Sequence, residues 1–280
     1  MDSEFYLLGQ RSNINHYTIE PDYGGKKDVL VYDDHRTLLN ILFEIQKNKW
    51  IDGVPNLIYF DQHDDSVVPR NISIAERMAK FGNRKIQDIK SKEFWGYTEF
   101  ELSTLDDDWV TAAFDFNLIN DAVCIGVEKD GNVRYTNERY ADADTKHLLL
   151  TMSHLGWEVG NRGQLGDTFK QDEISVYLRR LFHFNTKEPN KCPYILDFDL
   201  DCFATDCLDR TIAWPETIFY DKYVGDFKVH TVMNRLITEA TLITICREPS
   251  CCGGIGESNK ILSYLDKYFF NEGLQTQPII

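Results

Sequence analysis

Apolar residues along the chain form short runs that alternate with stretches of helical periodicity. The runs are rich in β-branched and aromatic residues, which is typical of buried parallel strands; they are Val29–Tyr32, Leu57–Phe60, Val110–Phe114, Val123–Val127, Leu148–Met152, Tyr194–Leu200 and Leu242–Cys246. Helical spacing of apolar residues occurs at Thr37–Gln46, Ile74–Phe81, Ile174–Phe182, Val229–Glu239 and Lys260–Phe269. This order predicts βαβ units, and therefore a three-layer α/β/α fold with a mostly parallel central sheet.

The length and composition favour one globular domain over residues 1–280. The chain has 280 residues, of which 42% are hydrophobic and 27% charged, so it can bury a sizeable core. No apolar run approaches the ~18 residues that a membrane span needs, and the first ten residues lack the basic stretch and apolar core of a signal peptide. The odd count of seven cysteines is typical of reduced thiols. We therefore expect a cytoplasmic protein with no membrane partner.

The net charge of −15 argues against sequence-independent binding of nucleic acid, which depends on Lys and Arg side chains that neutralise phosphates. Metal ions or a cationic partner suit this charge better. Solubility alone would explain it equally well.

Three polar side chains follow the apolar run at Leu57–Phe60. Asp61, His63 and Asp65 occupy every second position, so in an extended chain they project from one face at the carboxyl end of the strand. Open α/β sheets bind their ligands at this edge. The pattern indicates a metal site, although Asp and His are also common in ordinary turns.

The segment Ile195–Asp201 carries three carboxylates with the same two-residue spacing. Asp197, Asp199 and Asp201 alternate with large apolar residues, which favours an interior strand over a solvated acidic one. Burying three like charges on one face is prohibitive unless cations neutralise them. Asp197 lies one step deeper than the other two, so we expect it to orient a ligand rather than to bind metal directly.

A third polar strand end, with His35 after the run at Val29–Tyr32, completes the predicted set. The candidate metal ligands are His35, Asp61, His63, Asp65, Asp199 and Asp201. Four carboxylates balance the charge of two divalent cations. Oxygen ligands mixed with imidazole, without cysteine, favour two Mn²⁺ ions, with Fe, Co or Ni as alternatives.

The order and spacing of these motifs resemble those of the ureohydrolases arginase and agmatinase. The likeness covers about Val29 to Gly254 and includes Asp34-His35, Asp61-x-His63-x-Asp65, Phe198-Asp199-x-Asp201 and Thr244–Pro249. In detail the chain is more similar to a divergent arginase-fold family that includes the peptide arginases of ribosomal-peptide biosynthesis. Those enzymes convert arginine side chains within a precursor peptide to ornithine.

The resemblance implies an arginase-like fold and a role for each motif residue. One metal or bridging position would use His35, Asp61, Asp65 and Asp199, and the other would use His63, Asp65, Asp199 and Asp201. Glu248 would receive the substrate guanidinium. Asp65 would orient the hydroxide that the two metals supply near neutral pH, and would pass a proton to the leaving amine.

The chain departs from arginases of free arginine in the segment after Asp65. It has Ser66–Ser73 and an apparent helix, where those enzymes have a Ser-Gly-x-x-His-Gly-like loop that grips the α-amino and α-carboxylate groups. This difference fits arginine embedded in a precursor peptide. It also removes the family's catalytic histidine; His154 is a candidate substitute, although an ordinary loop histidine is the better interpretation.

Two other functions remain open. The chain could be a ureohydrolase of free arginine, agmatine or another small guanidino compound, or a non-catalytic, metal-stabilised protein that binds a peptide. A deacetylase of the same broad fold is disfavoured, because it would use one zinc and a pair of adjacent histidines that this sequence lacks.

Overall fold

The computed structural model describes residues 4–11, 13–21, 24–66, 79–82, 84–102, 107–127, 147, 149–152, 154–155 and 193–274. Its strands are β1 (Asn15–Ile19), β2 (Lys27–Tyr32), β3 (Asn56–Phe60), β4 (Ala122–Ile125), β5 (Leu149–Met152), β6 (Tyr194–Asp199), β7 (Ala204–Cys207), β8 (Arg210–Ala213) and β9 (Leu242–Cys246). Its α-helices are α1 (Arg36–Asn48), α2 (Ser91–Glu101), α3 (Trp109–Asp115), α4 (Glu216–Tyr223), α5 (Phe227–Glu239) and α6 (Ile255–Phe269). Short 3₁₀ helices span Glu4–Gln10, Ile86–Asp88 and Leu200–Phe203.

A seven-stranded sheet with the order β1-β2-β9-β6-β3-β4-β5 forms the centre of the molecule. The edge strand β1 is antiparallel to β2, and all the other neighbours in this sheet are parallel. Strands β7 and β8 form a separate antiparallel hairpin. The predicted mostly parallel α/β sheet is therefore confirmed.

Helices cover both faces of the sheet. Alternate strand residues point to opposite sides: in β3, Leu57 and Tyr59 pack with α1, α2 and α3, whereas Ile58 and Phe60 pack with α4, α5 and α6. Both faces of the central strands are apolar because both are buried, as parallel sheets require. The result is a three-layer α/β/α fold, as the sequence pattern predicts.

The predicted strand at Val110–Phe114 is wrong, because these residues belong to helix α3. Every residue from Trp109 to Phe114 is buried, so the segment is apolar on all sides and shows no amphipathic period. A short apolar run of this kind does not distinguish a buried strand from a buried helix. The other six predicted strands are confirmed within one or two residues at each end.

Three of the five predicted helices correspond to α1, α5 and α6, each of which is longer than predicted. Most of the predicted helix Ile74–Phe81 and all of Ile174–Phe182 lie outside the described residues. Among the residues that the structure describes, no helix combines the length and hydrophobicity needed to cross a bilayer.

Candidate metal centre

The acidic and histidine side chains meet at the carboxyl ends of β2, β3, β6 and β9. His35 lies at the start of α1 just after β2, Asp61 directly follows β3, and Asp199 is the last residue of β6. Asp201 lies in the 3₁₀ helix that follows β6, and Glu248 lies two residues beyond β9. All five side chains are largely buried. The parallel sheet thus gathers them in the crevice where α/β proteins bind ligands.

Asp197 fixes the orientation of the His35 ring. Its Oδ2 lies 2.9 Å from His35 Nε2. Its Oδ1 accepts hydrogen bonds from the hydroxyls of Tyr32, at 2.9 Å, and Thr244, at 2.5 Å. A carboxylate that accepts from Nε2–H leaves Nδ1 as the lone-pair nitrogen of a neutral ring. This contact agrees with the orienting role that the sequence predicts for Asp197.

His35 Nδ1 faces a group of carboxylate oxygens. It lies 3.0 Å from Asp199 Oδ2, 3.1 Å from Asp65 Oδ2 and 3.5 Å from Asp61 Oδ2. Nevertheless Nδ1 is buried and forms no hydrogen bond within the described part of the chain. A lone pair directed at three carboxylates is repelled by them unless a cation or a proton lies between.

His63 forms a second imidazole position beside the first. Its Nδ1 lies 3.4 Å from Asp201 Oδ2 and 3.8 Å from Asp61 Oδ1. Its side chain is 64% exposed, so the cluster reaches solvent on this side. Asp61 has one oxygen near each imidazole. The family resemblance instead assigns Asp65 and Asp199 to both ligand sets, and Asp61 to only one.

Asp65 is held by a contact that the sequence does not suggest. The indole Nε1 of Trp109 donates a hydrogen bond of 2.6 Å to Asp65 Oδ2, the same oxygen that faces His35. Asp65 itself has a left-handed backbone with φ of 43°, an uncommon conformation for a residue other than glycine. Helix α3 therefore positions this carboxylate from outside the strand ends.

The electrostatics of the cluster favour a bound cation. Burial, reinforced by neighbouring carboxylates, raises the pKa values of Asp61 and Asp199 well above their usual range. Burial likewise raises the pKa of Glu248. Burial by itself lowers the pKa of His35, but the neighbouring carboxylates of Asp199, Asp197 and Asp65 raise it well above its usual value. The carboxylates of the cluster therefore carry more negative charge than its two imidazoles can balance.

The described residues fit a metal ion. Ligand atoms within 4.8 Å of one another occur in four overlapping sets: His35 with Asp61 and Asp65, His35 with Asp199 and Glu248, His63 with Asp61 and Asp201, and Asp201 with Glu248 and Cys251. Within the same described residues, Asp61 Oδ2 and Asp201 Oδ1 are buried without a hydrogen-bond partner. Buried polar atoms normally have partners, so these oxygens and His35 Nδ1 are available as ligands. The structure therefore brings together all six predicted ligands and Glu248.

His154 belongs to none of these ligand sets and is buried against Tyr223 of α4. Its Nδ1 is 2.7 Å from the hydroxyl of Tyr223, and its ring packs 4.7 Å from that of Trp214. Burial, together with the positive charge of Lys222, lowers the pKa of His154 to about 4. Its described contacts are those of a buried core histidine, so the geometry gives no support to a role in proton transfer.

Sequence reasoning did not identify Trp109, Tyr32, Thr244 or Cys251 as parts of the site. Cys251 is grouped with Asp201 and Glu248 at the rim. The only available signal was its nearness in sequence to Glu248. Trp109 directly precedes Val110–Phe114, the segment predicted wrongly as a strand, and is the first residue of helix α3.

Comparison with known proteins gives no match to any family model and none among the curated proteins.

Proposed function

We propose that this protein is a binuclear Mn²⁺-dependent hydrolase that converts arginine side chains of a precursor peptide to ornithine and releases urea. The observation that carries the proposal is the environment of His35. Asp197 holds its ring so that a buried nitrogen without a hydrogen-bond partner faces Asp61, Asp65 and Asp199. Histidines that bind metals are commonly oriented by a carboxylate in this way.

The two imidazoles define two adjacent cation positions. One would use His35 with Asp65 and Asp199, and the other would use His63 with Asp201. Asp61, whose oxygens lie near both imidazoles, would belong to both. Two divalent cations held by these residues would supply a hydroxide nucleophile near neutral pH.

Glu248 is the group that would bind the guanidinium. Its carboxylate shares a ligand set with His35 and Asp199, so a cation bound to it lies beside the proposed metal positions. A carboxylate binds a planar guanidinium through paired, charge-assisted hydrogen bonds, which would fix the position of the guanidinium carbon. The backbone N–H groups of Cys251 and Cys252 donate to the Glu248 carbonyl at 3.0 Å and hold this residue in its turn.

Asp65 is the proposed proton carrier. Trp109 and His35 both contact its Oδ2, so the carboxylate is fixed at the inner side of the cluster. From this position it would orient the attacking oxygen and deliver a proton to the departing amine as the C–N bond breaks.

A peptide substrate is favoured by the open side of the cluster and by the sequence after Asp65. The exposed His63 marks where a long side chain would enter from a bound peptide. Ser66–Ser73 lacks the loop motif with which arginases of free arginine grip the α-groups. The proposed substrate is therefore arginine within a chain.

The proposal is tested by incubating Mn²⁺-loaded protein separately with an arginine-containing peptide, free arginine and agmatine. We expect urea from the peptide alone, together with a mass decrease of one CN₂H₂ unit for each modified arginine. Urea from only the small compounds would instead indicate an ordinary ureohydrolase. A metal-loaded protein that releases no urea from any of them would contradict the hydrolase proposal and favour a binding protein.

Two variants separate metal binding from turnover. Asp199→Ala should lose both, whereas Glu248→Gln should keep its metal content and lose turnover. Glu239→Gln is a matched control, because Glu239 ends α5 at the opposite edge of the sheet and pairs with Arg235. Turnover that persists in Asp199→Ala would remove the proposed role of the metal centre.

A further inference from the structure

The turn after β9 places a thiol beside the carboxylate of Glu248. The backbone N–H of Cys251 donates to the Glu248 carbonyl at 3.0 Å, which closes the turn. The ligand atoms of the Cys251 and Glu248 side chains also lie within 4.8 Å of each other. Cys251 is exposed, so this thiol lies at the solvent side of the acidic cluster.

Asp201 completes a group of ligand atoms with these two side chains. One atom each from Asp201, Glu248 and Cys251 lies within 4.8 Å of the other two. The Asp201 side chain is only 3% exposed, and its Oδ2 faces His63. Its Oδ1 is buried and has no hydrogen-bond partner among the described residues. One oxygen of this carboxylate is therefore left without a partner among the described residues.

We propose that Cys251, Glu248 and Asp201 form a further binding site, adjoining the first and sharing Asp201 with it, for a thiophilic divalent cation such as Zn²⁺ or Cd²⁺. The distinction from the neighbouring centre is chemical. The six ligands of that centre offer only oxygen and imidazole nitrogen, whereas Cys251 adds sulfur, which selects softer ions than Mn²⁺. On binding, the thiol releases its proton to solvent and the thiolate sulfur becomes the ligand.

The site has a regulatory consequence that rests on the proposed hydrolase function. Glu248 has one carboxylate, which cannot ligate a cation with Cys251 and also form paired hydrogen bonds with a guanidinium. A Zn²⁺ or Cd²⁺ ion at this position would therefore exclude the substrate while the Mn²⁺ positions stay filled. The acidic rim would act as an inhibitory site for soft metals.

Cd²⁺ is the probe that tests the site without reference to turnover. We expect titration of Mn²⁺-loaded protein with Cd²⁺ to produce the ultraviolet charge-transfer absorption of a cadmium–thiolate bond. The absorption should disappear in Cys251→Ser and persist in Cys207→Ser. Cys207 is the matched control, because it is the other exposed cysteine among the described residues. The same absorption in Cys251→Ser as in the unmodified protein would overturn the proposal, as would its absence from the unmodified protein.

Inhibition supplies an independent readout. If the protein releases urea, the Zn²⁺ concentration that halves its rate should rise about tenfold or more in Cys251→Ser, a change of the size seen when a metal site loses a supporting group. Unchanged inhibition would overturn the regulatory role. Because the cadmium absorption needs no substrate, it distinguishes failure of this site from failure of the proposed hydrolysis. Circular dichroism verifies that the serine variant, altered at an exposed side chain, is folded.

Discussion

At the scale of single residues, the protonation of His35 depends on Asp197. Asp197 Oδ1 already accepts two hydroxyl hydrogen bonds, from Tyr32 and Thr244, and its Oδ2 is the partner of His35 Nε2. An ionised carboxylate only accepts hydrogen bonds, so Nε2 must carry the proton. The opposite nitrogen is then left to bind a cation between Asp65 and Asp199.

Asp197→Asn should weaken Mn²⁺ binding about 10- to 100-fold, the usual effect of losing a carboxylate that orients a ligand histidine. The asparagine amide can donate to Nε2, which favours the ring tautomer with the proton on Nδ1 and removes the ligand. Isothermal titration with Mn²⁺ measures the change. Asp206→Asn is the control, because the Asp206 carboxylate is exposed in the β7–β8 hairpin and accepts a hydrogen bond from the Thr211 hydroxyl. Equal affinity in the two variants would show that Asp197 does not set the tautomer.

His154 should make the protein less stable in mild acid. Burial, and then the charge of Lys222, lower the pKa of His154 to about 4, whereas the unfolded chain has a value near 6.5. The unfolded state therefore binds more protons between these values, so stability is lost as the pH falls from about 6.5 to about 4, by about 3 kcal/mol in total.

Denaturant titrations of His154→Gln and the unmodified protein across this range test the prediction. The variant cannot bind the proton, so the stability difference between the two proteins should change by about 3 kcal/mol from neutral pH to pH ~4. Taking the difference cancels the pH-dependent contribution to stability of the carboxylates that both proteins share. His230→Gln, at a partly exposed histidine on α5, is the control. Parallel curves for His154→Gln and the unmodified protein would contradict the assignment.

At the scale of secondary-structure elements, the sequence predicts the ligand positions because they depend on local periodicity. Asp61, His63 and Asp65 follow a buried strand, and Asp199 with Asp201 ends another, so their place at the carboxyl edge follows from the two-residue alternation. The order of the strands in the sheet cannot be deduced from this local alternation. That β9 lies between β2 and β6 is decided by packing across the whole sheet.

The contacts around the ligands could not be predicted, because they join elements that are distant in sequence. Thr244 lies beside Asp197 only because β9 and β6 are neighbours in this register. Trp109 reaches Asp65 because its segment is a helix packed on the sheet, where periodicity could not separate a strand from a helix. Local pattern thus identifies the candidate ligands, whereas tertiary packing determines the groups that would orient them.

Gly253→Ala tests how the turn that carries Glu248 fits against the hairpin. Gly253 has φ of 88°, and a Cβ there would lie 2.0 Å from the carbonyl oxygen of Thr211 in β8. Strain and the backbone clash together should lower the free energy of unfolding by about 1–3 kcal/mol. Thermal or denaturant unfolding measures this loss.

Gly256→Ala is the matched control for that change. Gly256 lies in α6, and a Cβ there would meet no atom within 4 Å. Alanine favours a helix over glycine by about 1 kcal/mol, so this variant should be as stable as the unmodified protein or slightly more so. If both alanine variants had the same stability, the close approach of the hairpin to the turn would not constrain the fold.

At the scale of the whole molecule, the net charge of −15 and the acidic centre have the same consequence for stability. Buried carboxylates that outnumber their cationic partners destabilise the folded state, because they lose hydration and repel one another. Asp61 and Asp199 belong to such a cluster, since burial and neighbouring carboxylates both raise their pKa values. A cation that binds the folded state and not the unfolded chain removes part of this cost.

Mn²⁺ should therefore stabilise the entire fold and not only the site. At a free concentration of about 100 times its dissociation constant, the expected gain is about 2.7 kcal/mol in the free energy of unfolding. Because the ligands come from the ends of β2, β3 and β6, unfolding of the central sheet must release the ion. Differential scanning calorimetry should show the transition move upward with Mn²⁺ and return on chelation, with no such shift in Asp199→Ala. An equal shift in Asp199→Ala would place the stabilising ion elsewhere in the molecule.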